Sequence, residues 1–422
     1  MEEFNIIIMG GGIAGLYIQY TLLKKFLKKK KRPKILLIEK NNRLGGRIFT
    51  HKEIVKGEKY SMEAGAGRFN DNHKLLIKLI KKLGYSKNIV KIPSIVDVRI
   101  KKEKWVNNDL SLYSPYDYMD SIISQFTIKK KMKNISFENW LKKNTNTKLS
   151  AYLKDFYPYK DIFKSNTYDA LNSYKKDLNN NNNFYTLRGG LTQLIEKLKL
   201  DIISMGGIIK VNTTLLNIRQ IGKNYLIKTS HFKAICGKII LTGQRPDLLK
   251  IKYLKNISNL LNSVRNIKLC RFYCIFDTKN GAWFENIKKT ITDSRISYFI
   301  PIDYETGLVM ISYVDDYNAN YLKKLELKSE KKIINFLLKE CEQIFGIEKI
   351  PQPIWYKSFY WKNGVGGWKT GVDSKKNEKK IIVPYENENL FICGENYSSK
   401  FQGWIEGSLI TAKKVISKIY VD

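Results

Sequence analysis

The sequence predicts an α/β fold built on a parallel sheet, and three observations carry that prediction. Residues 4–9, Phe-Asn-Ile-Ile-Ile-Met, form a short apolar run rich in β-branched side chains, as in a strand buried on both faces. Gly10-Gly11-Gly12-Ile13-Ala14-Gly15 follows directly, a G-x-G-x-x-G placed between strand and helix. Leu16, Tyr17, Tyr20, Leu23, Phe26 and Leu27 then recur at helical spacing, and a second apolar run, Ile35–Ile38, ends on Glu39. Together these make one βαβ unit of Rossmann type, shaped for a dinucleotide. Gly10 permits the tight turn, Gly12 removes a side chain that would block a pyrophosphate, and Gly15 lets helix and strand pack closely. Ile13 and Ala14 open the helix, whose free N–H groups and positive dipole end suit phosphate. Glu39 stands where an acid meets ribose hydroxyls, with Lys40 beside it as a further cofactor contact.

At 422 residues the chain has room for roughly two to three structural units. Its 43% hydrophobic and 12% aromatic content supports sizeable cores. No apolar run reaches the ~18 residues that span a bilayer, and the first apolar segment serves as the nucleotide-binding strand, so neither a membrane span nor a secretory signal is expected. The five cysteines are odd in number and form no C-x-x-C, which points to reduced core residues and a cytoplasmic or intracellular setting. With three histidines, neither a histidine-based metal site nor a Ser/His/Asp triad is expected. The net charge of +36 is spread along the chain rather than gathered in one block. The run Lys28–Arg32 ends the first helix, where cations suit the macrodipole, so nucleic acid is not the expected partner. Such a field still draws in anions and repels polycations.

Beyond Glu39, Arg43-Leu44-Gly45-Gly46-Arg47 brings backbone N–H groups and guanidinium charge together in one loop. Gly10–Gly15, Glu39 and Arg43–Arg47 together resemble the FAD-binding start of the flavin amine oxidase superfamily. That resemblance implies that Arg43, Gly46 and Arg47 lie against the FAD pyrophosphate and isoalloxazine. Glu63-x-Gly65-Ala66-Gly67-Arg68-Phe69 comes next and is similar to L-amino-acid oxidases, the L-tryptophan oxidases of the violacein pathway above all. There Gly65, Ala66 and Gly67 would touch the cofactor, and the arginine matching Arg68 grips the substrate carboxylate. A planar guanidinium fork fits a carboxylate bidentately.

His73–Ile80 reads as an amphipathic helix ending near Gly84, with His73 capping or packing. From Tyr85 to Asn183 the pattern is aromatic, mixed and mostly helical, with Ser136 as N-cap of a short helix. The resemblance implies a lid-like tyrosine in this stretch, and Tyr152 matches best. Asn179–Asn183 reads as a loop. Gly207–Asn212 is then a strand whose Val211 backbone would meet the adenine, followed by strands at Tyr225–Thr229 and Ile235–Leu241. Farther on, Ser263–Lys268 matches the segment that carries a lysine near flavin N5. Lys268 would hold a water and stabilise developing superoxide. Tyr313 matches a strand tyrosine that bonds the substrate carboxylate. Near the end, Trp361–Trp368 resembles the stretch passing the flavin, and Leu390–Glu395 with Gln402–Leu409 resembles the closing FAD motif. Gly394 and Glu395 would then meet the ribityl chain, and the helix beginning near Ile405 would face flavin O2. Trp361 and Trp404 would wall the substrate, and the Gly403 carbonyl would receive the amine. Cys393 does not stand where some relatives attach FAD covalently, so noncovalent FAD is expected.

The expected organisation is therefore a Rossmann-type FAD-binding domain (1–75, 184–245 and 355–422) with an inserted α+β substrate domain (76–183 and 246–354). The expected reaction is oxidation of an L-amino acid, aromatic by resemblance, through hydride transfer from Cα to flavin N5. Dioxygen becomes hydrogen peroxide and the imine hydrolyses to a 2-oxo acid. An amine or polyamine oxidase of the same superfamily is the alternative, and a basic flavin-fold protein that binds nucleic acid is another. No metal and no membrane are expected; the chain is compatible with a homodimer.

Overall fold

A computed structural model describes residues 1–94, 96–178 and 182–420. Asn179–Asn181 of the asparagine loop, and the last two residues of the final expected segment, lie outside the described residues. Residues 2–9 form the first strand (β1, Glu2–Met9), Ile13–Lys28 the first helix (α1), and Ile35–Ile38 the next strand (β2). β1 pairs in parallel with β2 on one side and with Lys233–Leu241 on the other.

The order of the seven-stranded sheet is set by that pairing. Ile208–Lys210 adds beyond β2, and Asn224–Thr229 and Leu215–Ile221 add antiparallel beyond Lys233–Leu241. Leu390–Ile392 pairs in parallel with the far half of Lys233–Leu241, so the end of the chain enters the sheet opened by its beginning. The strand side chains alternate between two apolar layers. Ile6, Ile8, Ile35 and Leu37 meet α1 and the helices Thr192–Ser204 and Ile405–Ile419. Ile7, Leu36, Ile38 and Ile239 face the opposite layer with Trp368 and Tyr397. Period-two alternation with both faces covered explains why these strands read as continuous apolar runs.

A six-stranded second sheet runs Trp355–Trp368, Val264–Ile275, Leu308–Asp315, Tyr298–Asp303, Thr290–Thr292 and Asp97–Arg99. Trp355–Trp368, expected to open the last dinucleotide-binding segment, pairs along Val264–Ile275 and so belongs to this sheet by hydrogen bonding. Helices Asp316–Lys328 and Glu330–Phe345 pack on one of its faces. Short helices from residue 115 to 173 form a further aromatic layer. Their starts follow the sequence signals. Ser114 completes a capping box with Asp117 ahead of Pro115, and Ser136, Asn146 and Asn166 each accept a backbone N–H three residues on.

Leu37 is fully buried in the middle of the parallel sheet. Leu37→Ala should lower unfolding stability by about 2–5 kcal/mol, read from urea titration followed by far-UV circular dichroism.

Candidate active site

A cavity of about 970 Å³ opens where the parallel strands end, and residues just past the carboxyl ends of four of them line it: Gly10, Glu39, Thr242 and Gly394. That is the position where open α/β sheets bind ligands. Its volume lies at the upper end of small-molecule sites. Second-sheet residues Leu269, Arg271, Tyr313 and Trp361 close the other side.

The glycine-rich turn shapes one end. Gly10 holds φ +111°, and a side chain on Gly15 would collide with the Gly10 carbonyl, so both glycines are required by the turn. A Cβ on Gly12 would meet nothing within 4 Å and would project into open space at the cavity wall. Gly12 is also the N-cap of α1 and provides no side-chain cap, leaving the first N–H groups of the helix free toward the cavity beside Ile13 and Ala14. Gly15 itself lies behind the lining and serves packing. The Glu39 carboxylate accepts from the Gly11 N–H at 2.7 Å and from Asn41 at 2.9 and 2.7 Å. Lys40 lines the same end and is paired with Asp247 at 2.7 Å.

Toward the middle, Arg43 stacks over Phe49 at 4.3 Å and donates to the Gly46 carbonyl at 2.9 Å, which folds the Arg43–Arg47 loop onto the cavity. Arg47 donates to the Gly364 carbonyl and pairs with Glu395. Glu395 also accepts the N–H groups of Gly366 and Gly403, each at 2.8 Å. Gly65, Ala66 and Gly67 all line the wall. Any side chain on Gly65 would strike the Arg47 carbonyl. Trp361 lies across this strip and anchors its indole N–H on the Ala64 carbonyl at 2.6 Å. Gly403, at φ +87°, leads through Trp404 into the helix that starts at Ile405, a second helix end with no side-chain cap.

At the far end Arg68 is half-buried with its open side on the cavity. Its guanidinium stacks on Phe184 at 4.3 Å, lies 5.8 Å from the Trp404 ring and donates to the Tyr159 hydroxyl. Burial works against the charge, but the oxygens of Tyr159, Tyr298, Tyr116 and Tyr313 outweigh it and hold Arg68 above its ordinary value. Arg271 donates to the Glu63 carbonyl at 2.6 Å and stacks over the Tyr313 ring at 4.9 Å. Tyr313 also stacks on Tyr298, whose hydroxyl is 2.5 Å from that of Tyr116. Among the described residues, neither Arg68 nor Arg271 forms a direct ion pair with a carboxylate, although the charge of Glu63 acts on Arg271.

The model of the flavin-containing amine oxidoreductase family matches residues 13–415. The chain belongs to this family. A mouse (Mus musculus) L-amino-acid oxidase is 35% identical over 80 residues, which is 19% of this chain and 11% of that protein's length. The fold is similar to that of a crystal structure assigned as a protoporphyrinogen oxidase from Exiguobacterium sp. 255-15, with TM-score 0.73, 18% identity and 99% of each chain covered. It is also similar to that of an engineered putrescine oxidase, with TM-score 0.74, 13% identity and 99% of each chain covered. At such identities the likeness shows the fold.

As a member of this family the protein is a flavin-dependent oxidoreductase, and its residues fit a flavin. Two uncapped helix ends face one cavity, the Gly12 position is clear, and Trp361 offers a flat wall beside the Gly65 strip. No described helix is long and apolar enough to cross a membrane.

Three expected site residues stand elsewhere. Lys268 does not line the cavity. On Val264–Ile275 the cavity face carries Leu269 and Arg271, whereas Cys270 and Phe272 pack beneath helix Asp316–Lys328, and Lys268 falls at the register shift between Ile267 and Leu269. Tyr152 is fully buried away from the cavity between Trp105 and Phe156, its hydroxyl donating to the Tyr113 carbonyl at 2.7 Å. Tyr159, three residues past that helix, occupies the wall instead. Val211 is 38% exposed outside the cavity. The strand stops at Lys210, Asn212 adopts φ +51°, and Thr213 and Thr214 reach the lining, with the Thr213 N–H donating to the Glu39 carbonyl at 2.7 Å. Arg271 went unnoticed in the sequence, although an arginine two residues from Leu269 and Tyr273 on a largely apolar strand was a usable signal.

Two outcomes test this geometry. Glu395→Ala leaves Arg47 without its carboxylate and frees two N–H groups, so flavin retained through purification, read as the ratio of 450 to 280 nm absorbance, should fall sharply. His73 is fully buried, packed on Trp404 at 4.8 Å and on Phe401. Burial, then the charge on Arg68, pulls it from 6.5 to about 3. As pH falls through that window the unfolded chain takes up a proton that the folded one refuses, so His73 makes the fold less stable toward acid. His73→Gln should show a smaller loss of urea stability between pH 6.5 and pH 4 than the parent protein.

Proposed function

We propose that the protein oxidises an L-amino acid with dioxygen as electron acceptor, using noncovalently bound FAD. One observation carries this reading: the cavity-lining guanidinium group of Arg68 pairs with no carboxylate among the described residues and faces the space beside the flavin-fitting strip, while Arg271, whose charge is met by Glu63, lines the same wall. A buried charge without its counterion is costly, and a substrate carboxylate would supply it. Glu39 at the far end of the cavity supports a dinucleotide, hence FAD. Cys393 lies in the apolar core behind the lining, which supports noncovalent attachment. In the same reading the parallel sheet is the FAD domain, and the second sheet, counted with Trp355–Trp368, belongs to the substrate domain.

When bound, the flavin supplies a two-electron acceptor that takes hydride from Cα and passes the electrons to dioxygen, giving hydrogen peroxide. Arg68 forms the bidentate contact to the carboxylate, and Tyr313 adds a hydroxyl donor from the neighbouring strand. Arg271, stacked on Tyr313, fixes that ring and adds positive potential. Trp361 and Trp404 flank Cα and exclude water, and the Gly403 carbonyl accepts from the neutral amine. Holding the substrate in one pose is the main contribution of these residues. No acid–base side chain is required.

A second reading, oxidation of an amine, draws on Asp161, Asp169 and Asp177, which line the same cavity. The basic surface works against encounter with a polycation.

The purified protein should be yellow, and a peroxide-coupled screen of the twenty L-amino acids should find a substrate; silence across the screen with turnover of an amine would replace the first reading by the second. Arg68→Ala should lower kcat/KM for that substrate by about 2–4 kcal/mol, expressed chiefly in KM, with Arg68→Lys intermediate.

A further inference from the structure

The carboxylates lining the cavity differ in one respect. Glu39 is held by Gly11 and Asn41, Glu395 by Arg47, Gly366 and Gly403, and Asp247 by Lys40. Asp161 pairs with Arg265, and Asp169 accepts from Asn166 and Ser374. Asp177 is 1% exposed and lines the cavity, yet both of its oxygens lack a hydrogen-bond partner among the described residues.

Its surroundings place it at the substrate end. Asp177 lies 3.8 Å from His73 Nε2, another buried atom without a partner. His73 in turn packs on Trp404, which lies beside Arg68. Nδ1 of His73 accepts the Asn70 N–H, so Nε2 carries the proton and points its donor toward Asp177 without reaching it. The other charged groups acting on Asp177 are Lys176 and Glu406. Glu406 is engaged by the N–H groups of Leu75 and Leu76, each at 2.9 Å.

A buried carboxylate with no hydrogen-bond donor and only the longer-range charge of Lys176 leaves much of its desolvation uncompensated. We propose that Asp177 is the subsite for a cationic group at the end of the substrate side chain, so that the preferred substrates are basic L-amino acids. This rests on the amino-acid reading above, with Arg68 holding the α-carboxylate, and it replaces the aromatic side chain implied by resemblance. In the free protein burial raises the Asp177 carboxyl far above its usual range, with the Lys176 charge working in the opposite direction. An entering ammonium or guanidinium would stabilise the ionised form and meet a carboxylate already fixed in place.

L-Lysine and L-norleucine differ at the end of the chain by the ammonium group alone, which makes them the probe pair. The purified flavoprotein should show kcat/KM for L-lysine at least about tenfold above that for L-norleucine, the size of one charge-assisted hydrogen bond. Asp177→Asn, which preserves shape, should bring the ratio toward one. Equal use of both by the parent protein overturns the proposal, as does an unchanged ratio in the variant. Calorimetric titration with the same two compounds separates this from the function reading. If neither is turned over, tighter binding of L-lysine that is lost in Asp177→Asn still supports the subsite, while equal binding overturns it.

Discussion

The Glu395 carboxylate is the contact on which the arrangement of the cavity depends. It lies three residues past the strand Leu390–Ile392, is 3% exposed, and takes hydrogen bonds from Arg47, Gly366 and Gly403. Those partners come from the second glycine loop, the long strand of the second sheet and the turn into the last helix. One side chain thus joins the start of the chain to two stretches near its end. Removing any one partner from a buried carboxylate is costly, so the three stretches are held in mutual register. Trp361 inherits its place from this knot, because Arg47 donates to the Gly364 carbonyl a few residues along the same strand.

The same dependence explains what the sequence made legible. The unit β1–α1–β2 is written in local pattern: a β-branched run, a glycine turn that only glycine satisfies at Gly10, a helical repeat and an acid. Glu39 and Glu395 were readable because the first follows directly on a buried strand and the second stands just past one. Lys268 and Tyr152 stand off the cavity for a shared reason, since each depended on which way a side chain points, whereas Val211 was expected to meet the cofactor through its backbone. A one-residue step on Val264–Ile275 exchanges the cavity for the helix-covered core, and a register shift against Trp355–Trp368 lies just there. For Tyr152, the helical repeat that marks a buried face also describes ordinary packing, and Trp105 supplied that packing from outside the helix. Asn212 turned the chain at a residue whose left-handed conformation no hydrophobic pattern signals. Arg271 and Tyr159 acquire meaning only beside Arg68, a juxtaposition made by tertiary contact.

Composition misleads about the site in another way. A net charge of +36 suggests a uniformly positive molecule, yet the cavity keeps its signs apart. Around the glycine turn and the flavin-fitting strip, acids are matched by backbone N–H groups or cations. The mismatches gather at the other end, where among the described residues Arg68 lacks an acid and Asp177 lacks a donor. Each such group costs free energy in the empty fold, and nothing in strand pairing or core packing requires it.

The two kinds of mismatch have opposite sign and are separated by the His73–Trp404 stack. A ligand that satisfied only the Arg68 guanidinium would leave Asp177 without a donor, and a simple cation would leave Arg68 without an acid. A molecule with an anionic head near the flavin-fitting strip and a cationic end beyond Trp404 complements both. Neutral His73 between them keeps the two charges from being bridged by the protein itself, because burial denies it a proton down to about pH 3. The geometry therefore selects on charge at both ends of the substrate, while the tryptophan walls fix the path between.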